Sequence, residues 1–289
     1  MPRLFWILWI CCLCVSSGWS QVLILRDNSR IPDTEFKVES NAIFRLVKIG
    51  DKVAPVHVPV GNIARMEWPE PVELMEVKTL ISQGKLDEAV AVLKRAYEFF
   101  KVFETVEGTW HPQIFFAYVE TLAQAEKFDE VQILLPRLKT LVLSESQKLT
   151  LRVLQLDMDS RTEVHHAAIL AEAQKILSST DDSAIGATVW IIIADIHAKE
   201  KEWENALMAY LRVPVFFGNQ VQKVPLAELR AGQMLAKMKR YDDAREAFTR
   251  IVESYPDTAV ATIAAKAKET INGLKNEIAQ EPEEPVKKS

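Results

Sequence analysis

The chain has 289 residues, 48% of them hydrophobic and 26% charged, with 35 basic against 40 acidic side chains and only 9 glycines. That balance suits a folded protein, and a net charge of −5 lacks the basic footprint of a binder of nucleic acid or of anionic membranes. The length has room for two modest domains, or for one small domain followed by an elongated array.

The first twenty residues stand apart. Arg3 gives a short positive start, and Leu4 to Val15 is an unbroken apolar run of 12. A run that short does not span a bilayer comfortably, but it fits the core of a signal peptide, about 7 to 15 residues. Gly18 and Ser20 are the small residues before a cut, which places cleavage between Ser20 and Gln21. An uncleaved anchor is the alternative. Cys11, Cys12 and Cys14 lack the small-residue pattern that resembles a lipobox, and they are all the cysteines of the chain. Residues 21–289 therefore cannot use a disulfide framework, a thiolate nucleophile or a cysteine-bound zinc. Losing the leader removes Arg3 and no acidic residue, leaving 34 basic against 40 acidic side chains. The expectation is an exported protein of the periplasm or cell envelope.

From Gln21 to Pro71 the pattern alternates. "VLILR", "TEFKV", "AIFRLVKI", "VHV" and "NIARMEW" read as about five short strands, and Gly50-Asp51 between two of them fits a tight hairpin. A small β-barrel or curled sheet is expected. Its hairpins and the closing "VPVGNIARMEW" resemble the small Sm-like β-barrels found ahead of repeat domains in exported bacterial proteins. "WPEP", Trp68 to Pro71, marks the boundary.

Beyond it the period becomes helical and repeats. "YDDA" (Tyr241–Ala244) is echoed by "LDEA" (Leu86–Ala89), "FDEV" (Phe128–Val131) and "WENA" (Trp203–Ala206), at spacings of 42, 75 and 38 residues. The double gap predicts a degenerate copy near 165, where "HHAA" (His165–Ala168) stands. Each motif reads as the start of a helix. Asp87, Asp129, Glu204 and Asp242 are placed to cap free N–H groups and to meet the positive end of the dipole. The following Ala or Val admits a close neighbour. Leu93 and Ala96, Leu135 and Leu138, Tyr210 and Val213, and Phe248 and Ile251 continue each apolar stripe. Another helix precedes each motif, and Ser144 with Gln147 has capping-box spacing. The long apolar stretch Ala89 to Val106, with Tyr97, Phe99, Phe100 and Phe103 on more than one face, reads as core against the β region or as an oligomer contact.

Helix pairs recurring every 34 to 42 residues or so are the mark of a helical solenoid. The last unit resembles the tetratricopeptide repeat family, with Gly232, Tyr241, Ala244, Phe248 and Pro256 at positions like that family's Gly, Tyr, Ala, Phe and Pro. Other units depart from it, since Val119 and Ala194 replace the glycine. The expected architecture is mainly α: a leader at 1–20, a small β domain at 21–71, a right-handed tetratricopeptide-like solenoid of about five helix pairs at 72–276, and a charged, proline-rich tail at 277–289.

Catalytic motifs are missing from the sequence. Its glycines are scattered, with no GxGxxG and no GxxxxGK[ST], and neither HExxH nor GxSxG occurs. His165 and His166 diverge by about 100° on a helix and so do not form a metal pair. His197 reads as a partly buried, hydrogen-bonded histidine. "DMDSRTEVHHAA" starts like a calcium loop but has Thr162 for the glycine and Ala168 for the bidentate acid. Glu120 and Asp195, at equivalent positions of two helices, are the one pair of carboxylates open to a glycan-hydrolase reading. No cofactor, metal or small-molecule substrate is expected.

The function favoured is binding. The family resemblance implies a concave groove lined by Gln113, Phe116, Glu120, Ile191, Asp195, Lys199, Leu229, Gln233 and Lys237. The basic clamp that some relatives use for a peptide C-terminus is unmatched, because Phe116, Ile191 and Leu229 stand where its lysine would. The expected partner is another envelope protein or peptide with an apolar or basic segment, a second copy of the chain being admitted. Three readings compete: a soluble periplasmic adaptor, a subunit of a membrane-anchored complex, and a cell-wall glycan hydrolase.

Overall fold

The computed structural model describes residues 21–161 and 165–276; the expected leader and cleavage site, Thr162 and the expected tail lie outside the described residues. The chain divides into two compact units, Met1–Leu141 and Val142–Ser289.

The first unit opens with six strands: β1 (Val22–Leu25), β2 (Arg30–Pro32), β3 (Phe36–Glu39), β4 (Ala42–Ile49), β5 (Lys52–Val58) and β6 (Ile63–Glu67). They form two antiparallel three-stranded sheets, ordered β2-β1-β6 and β3-β4-β5. Alternation identifies the long strands, whereas β2 has three residues and is too short to display a period. Ile49 pairs with Lys52 across Gly50-Asp51, and Gly50 has φ 62, the left-handed backbone that a two-residue hairpin needs at its first position. Leu23, Ile31 and Ile43 fill the interior of the sheets.

Four helices complete this unit: α1 (Val72–Ser82), α2 (Leu86–Phe100), α3 (His111–Gln124) and α4 (Phe128–Leu138). The aromatic residues of α2 serve as core. Phe99 and Phe103 lie against Phe36 of β3, with centroids 6.5 and 6.3 Å apart, and Trp68 meets Phe99 and Phe100 at 5.9 and 6.0 Å. The helix does not run on to Val106 as the apolar pattern predicts. It closes at Phe100 and passes through a 3-10 turn, Lys101–Phe103, which swings Phe103 inward.

The second unit holds α5 (Glu145–Arg161), α6 (His166–Ser179), α7 (Ser183–Lys199), α8 (Trp203–Phe216), α9 (Val224–Lys237), α10 (Tyr241–Ser254) and α11 (Ala259–Thr270). Each helix packs on its successor from α5 to α8, from α8 to α10 and on to α11, and α5 also touches α7 as α9 touches α11. Helices in antiparallel pairs, with contact between alternate members, are the arrangement expected of stacked helical hairpins.

The turns before α2, α4, α8 and α10 are copies of one another. Gly84, Glu126, Lys201 and Lys239, each two residues ahead of its helix, have φ between 57 and 73. The next residue in each donates its N–H to a carbonyl five residues back: Lys85 to Leu80, Lys127 to Leu122, Glu202 to His197 and Arg240 to Leu235, all at 2.9 Å. This is the Schellman closure of the preceding helix. Ala89, Val131, Ala206 and Ala244 are fully buried in all four, as close approach demands. The acidic residues, however, do not cap. Helices begin at Leu86, Phe128, Trp203 and Tyr241, so Asp87, Asp129, Glu204 and Asp242 fall inside the first turn, and no side chain caps those helices. They can still meet the helix dipole, and Asp87 also pairs with Lys127 of the following turn at 2.7 Å. The Ser144 box does form, with Ser144 N to Gln147 Oε1 at 3.0 Å and Gln147 N to Ser144 Oγ at 3.2 Å.

Candidate functional site

Helix pairing decides which side chains face outward and which bind the pairs together. In the first unit, α3 presents Gln113 exposed and Phe116 and Glu120 half-buried. Gln113 stands at a cleft of about 610 Å³ whose other walls include Arg30, Glu67, Trp68 and Trp110. The indole Nε1 of Trp110 donates to the Trp68 carbonyl at 3.0 Å, which fixes the ring in that wall.

In the second unit, Ile191, Asp195 and Lys199 follow one another at four-residue steps on α7, as Leu229, Gln233 and Lys237 do on α9. Several of these hold the fold together. Asp195 accepts from Arg230 Nη1 of α9 at 2.5 Å and from the Tyr210 hydroxyl of α8 through the same Oδ1. Burial, and then the Asp195 charge, push the Tyr210 hydroxyl above the ordinary phenol range. One carboxylate thus ties three helices. Lys199 Nζ reaches back 2.6 Å to the Ser160 carbonyl in the last turn of α5, where a cation satisfies a helix C-terminus. Leu229 is 3% exposed and packs with Ala244, Phe248 and Ile251. Ile191 is half-buried beside Ala187, Val213 and Ala227, Gln233 is half-buried, and Lys237 is exposed.

Arg230 and Ser160 belong to this network although sequence reading misses them. Arg230 lies one helical turn before Gln233, the repeat equivalent of Asp195; an acid on one helix and a base one turn earlier on the next was the available signal. The chemistry of Asp195 is that of a structural ion pair between helix pairs, not of a general acid in an open cleft. Tyr255 makes a similar link, donating to Glu228 Oε2 at 2.8 Å, and its hydroxyl is raised to about 12 by burial and that bond.

Where a metal could be held lies off this face. His197, Glu200 and Glu202 converge at the turn between α7 and α8. His197 is half-buried and hydrogen-bonded as its sequence context predicts, with Nδ1 2.7 Å from Glu202 Oε2.

Residues 226–258 match the family model described as a tetratricopeptide repeat. This is one helix pair. It comprises most of α9, the turn and all of α10, and it carries Gly232, Tyr241, Ala244, Phe248 and Pro256. The other helix pairs have a tetratricopeptide-like arrangement, and three further turns repeat the backbone of the matched one. No curated protein matches the chain. Repeats of this family are in general protein–protein interaction modules, and the matched pair marks the chain as an interaction scaffold in that broad sense. Among the described residues, no helix is long and apolar enough to cross a membrane.

Proposed function

We propose that this protein is a non-enzymatic scaffold of the bacterial cell envelope, exported on its N-terminal segment, which holds a partner segment along the faces of its repeat helices. The observation that carries this reading is the repeat at α9–α10, whose turn geometry recurs before α2, α4 and α8. A repeat face needs rigid support beneath and adaptable side chains above. In the second unit Asp195, Lys199 and Leu229 supply the support, while Ile191, Gln233 and Lys237 are left to meet a partner. In the first unit Gln113, Phe116 and Glu120 occupy the same positions on α3. On α3, half-buried Phe116 one helical turn from Glu120 favours a partner segment that is apolar with basic flanks, and half-buried Ile191 on α7 adds apolar surface within the second unit.

The test is site-specific photocrosslinking in the native envelope. With the reactive group at Gln113, Gln233 or Lys237, a defined adduct is expected, and at Arg250 on α10 it should be absent. Equal recovery from all four positions would remove the groove assignment. Intact-mass analysis of the exported chain checks the leader: loss of Met1–Ser20 is expected, whereas retention makes the protein an anchored subunit.

A further inference from the structure

The turn between α7 and α8 has the same backbone as its three counterparts and different chemistry. Aligned on the first residue of the following helix, His197 stands where the others have Leu80, Leu122 and Leu235. Glu200 stands where they have Gln83, Ala125 and Met238. Glu202 stands where they have Lys85, Lys127 and Arg240. Closing the turn does not require these changes, since Glu202 N donates to His197 O at the same 2.9 Å found in the other three. All three departures introduce a metal-ligating side chain.

We propose that this turn binds a divalent transition-metal ion of the zinc type through His197 Nδ1, one oxygen of Glu200 and one of Glu202. One ligand atom from each residue lies within 4.8 Å of the others. Bonds of about 2.0–2.2 Å to nitrogen and oxygen need such atoms roughly 3.3 Å apart in a tetrahedron, a separation reached by small side-chain rotations. The backbone that carries them is already closed, because Lys201 at φ 63 reverses the chain and sets Glu200 and Glu202 on either side of it.

Charge points the same way. Among the described residues, neither Glu200 nor Glu202 forms an ion pair with a lysine or arginine; their charged-type partners are His166 and His197. Two carboxylates thus stand at short range with no lysine or arginine on either, and a dication removes their repulsion. Both carboxylates are also braced from outside. His166 Nδ1, at the start of α6, is 3.0 Å from Glu200 Oε1, and Asn205 Nδ2 donates to Glu202 Oε2 at 3.1 Å. The His166 side chain is 15% exposed, and its Nε2 is buried with no partner, so its one hydrogen bond is the one that orients Glu200. Outer hydrogen bonds of this kind fix ligand direction in metal sites. The site draws on two successive helix pairs, so the ion would pin α6 to the α7–α8 turn. One nitrogen and two oxygens leave the remaining positions to water and suit Zn²⁺ or Co²⁺ better than a thiophilic ion.

The experiment is calorimetric titration with Zn²⁺ of the full chain in which Cys11, Cys12 and Cys14 are changed to serine, so that no thiolate competes for the ion, with Co²⁺ absorption reporting the coordination and Mg²⁺ as the control. One Zn²⁺ per chain is expected, with no response to Mg²⁺ at equal concentration. His197→Leu and Glu202→Lys install residues that the other turns use at these positions, so they should keep the helical circular dichroism and lose at least tenfold in affinity. Glu200→Gln should behave alike, His166→Ala should lose about tenfold, and His165→Ala should bind as the parent chain does. The proposal is overturned if the parent chain takes up no Zn²⁺, or if His197→Leu and Glu202→Lys bind it as tightly as the parent.

Discussion

His111, in the first turn of α3, is the least comfortable polar residue in the described core. It is 1% exposed, both ring nitrogens lack a hydrogen-bond partner, and the imidazole packs beside Tyr97 and Phe115, with ring centroids 5.8 and 5.6 Å away. Burial first, and then the Arg137 guanidinium, hold its pKa below the usual histidine value. The folded chain therefore keeps this ring neutral, whereas the unfolded chain protonates it near the ordinary value of about 6.5. The sign follows: the stabilising difference is present above about pH 6.5 and is lost as pH falls through the lowered folded pKa. Phe at 111 retains the stacking and removes both the orphaned nitrogens and the titration. His111→Phe is expected to stabilise the protein by about 1–2 kcal/mol at pH 7.5, with a larger gain at pH 5. Urea unfolding of both chains at the two pH values measures it, and a gain that shrinks at pH 5 would contradict the buried neutral ring.

At the scale of elements, the helix pair of α9 and α10 turns on one glycine. A Cβ added to Gly232 would lie 2.7 Å from Phe248 Cε1, so the helices approach as closely as they do because nothing projects there. Gly232→Ala should cost about 1–3 kcal/mol by overpacking, and adding Phe248→Leu should recover a large part of it in a double-mutant cycle read by chemical denaturation. Strictly additive losses would mean that the two residues do not share the contact. This pair also explains how much was readable beforehand. Local rules are written in local residues: the four turns and the Ser144 box are legible in spacing and the Gly50 hairpin in its turn residues, and each depends on side chains within a few positions. The degenerate copy was found within one residue, since α6 begins at His166 where the spacing marked His165. What differs is the fine placement of the acids, two residues past the cap, because a Schellman closure leads straight into the next helix and leaves the capping position to Lys85, Lys127, Glu202 and Arg240. Contacts between helix pairs leave almost no mark in the sequence, the acid and base of Asp195 and Arg230 aside. Arg230 with Asp195, Lys199 with Ser160 and His166 with Glu200 are each separated by 34 to 39 residues, and no periodicity names such partners.

Over the molecule as a whole, stacked hairpins make stability a matter of neighbours, so the end of a stack is where its logic is easiest to test. Among the described residues, no helix follows α11. It packs on α10 and α9, burying Ala261 and Ala264, and Ile271 just beyond it joins the cluster of Leu229, Phe248 and Ile251. Arg245 Nη1 of α10 donates to the Ile271 and Leu274 carbonyls at 3.2 and 3.0 Å, which ties off the C-terminal end of α11. Ending the chain at Asp257 removes this cover and opens the apolar stripe of α10 to water. The lost burial of Ala261, Ala264 and Ile271, with the exposure of part of the stripe, comes to about 3 kcal/mol or more. The truncated chain should unfold at lower temperature and self-associate in light scattering. Hydrogen exchange should localise the damage, with protection lost most in α10 and α9, less in α8 and α7, and least in α5, the order set by distance along the stack. If α5 and α10 instead lose protection equally, the unit folds as one cooperative block rather than as coupled hairpins, and a partner gripping α9 would then stabilise every helix of it alike.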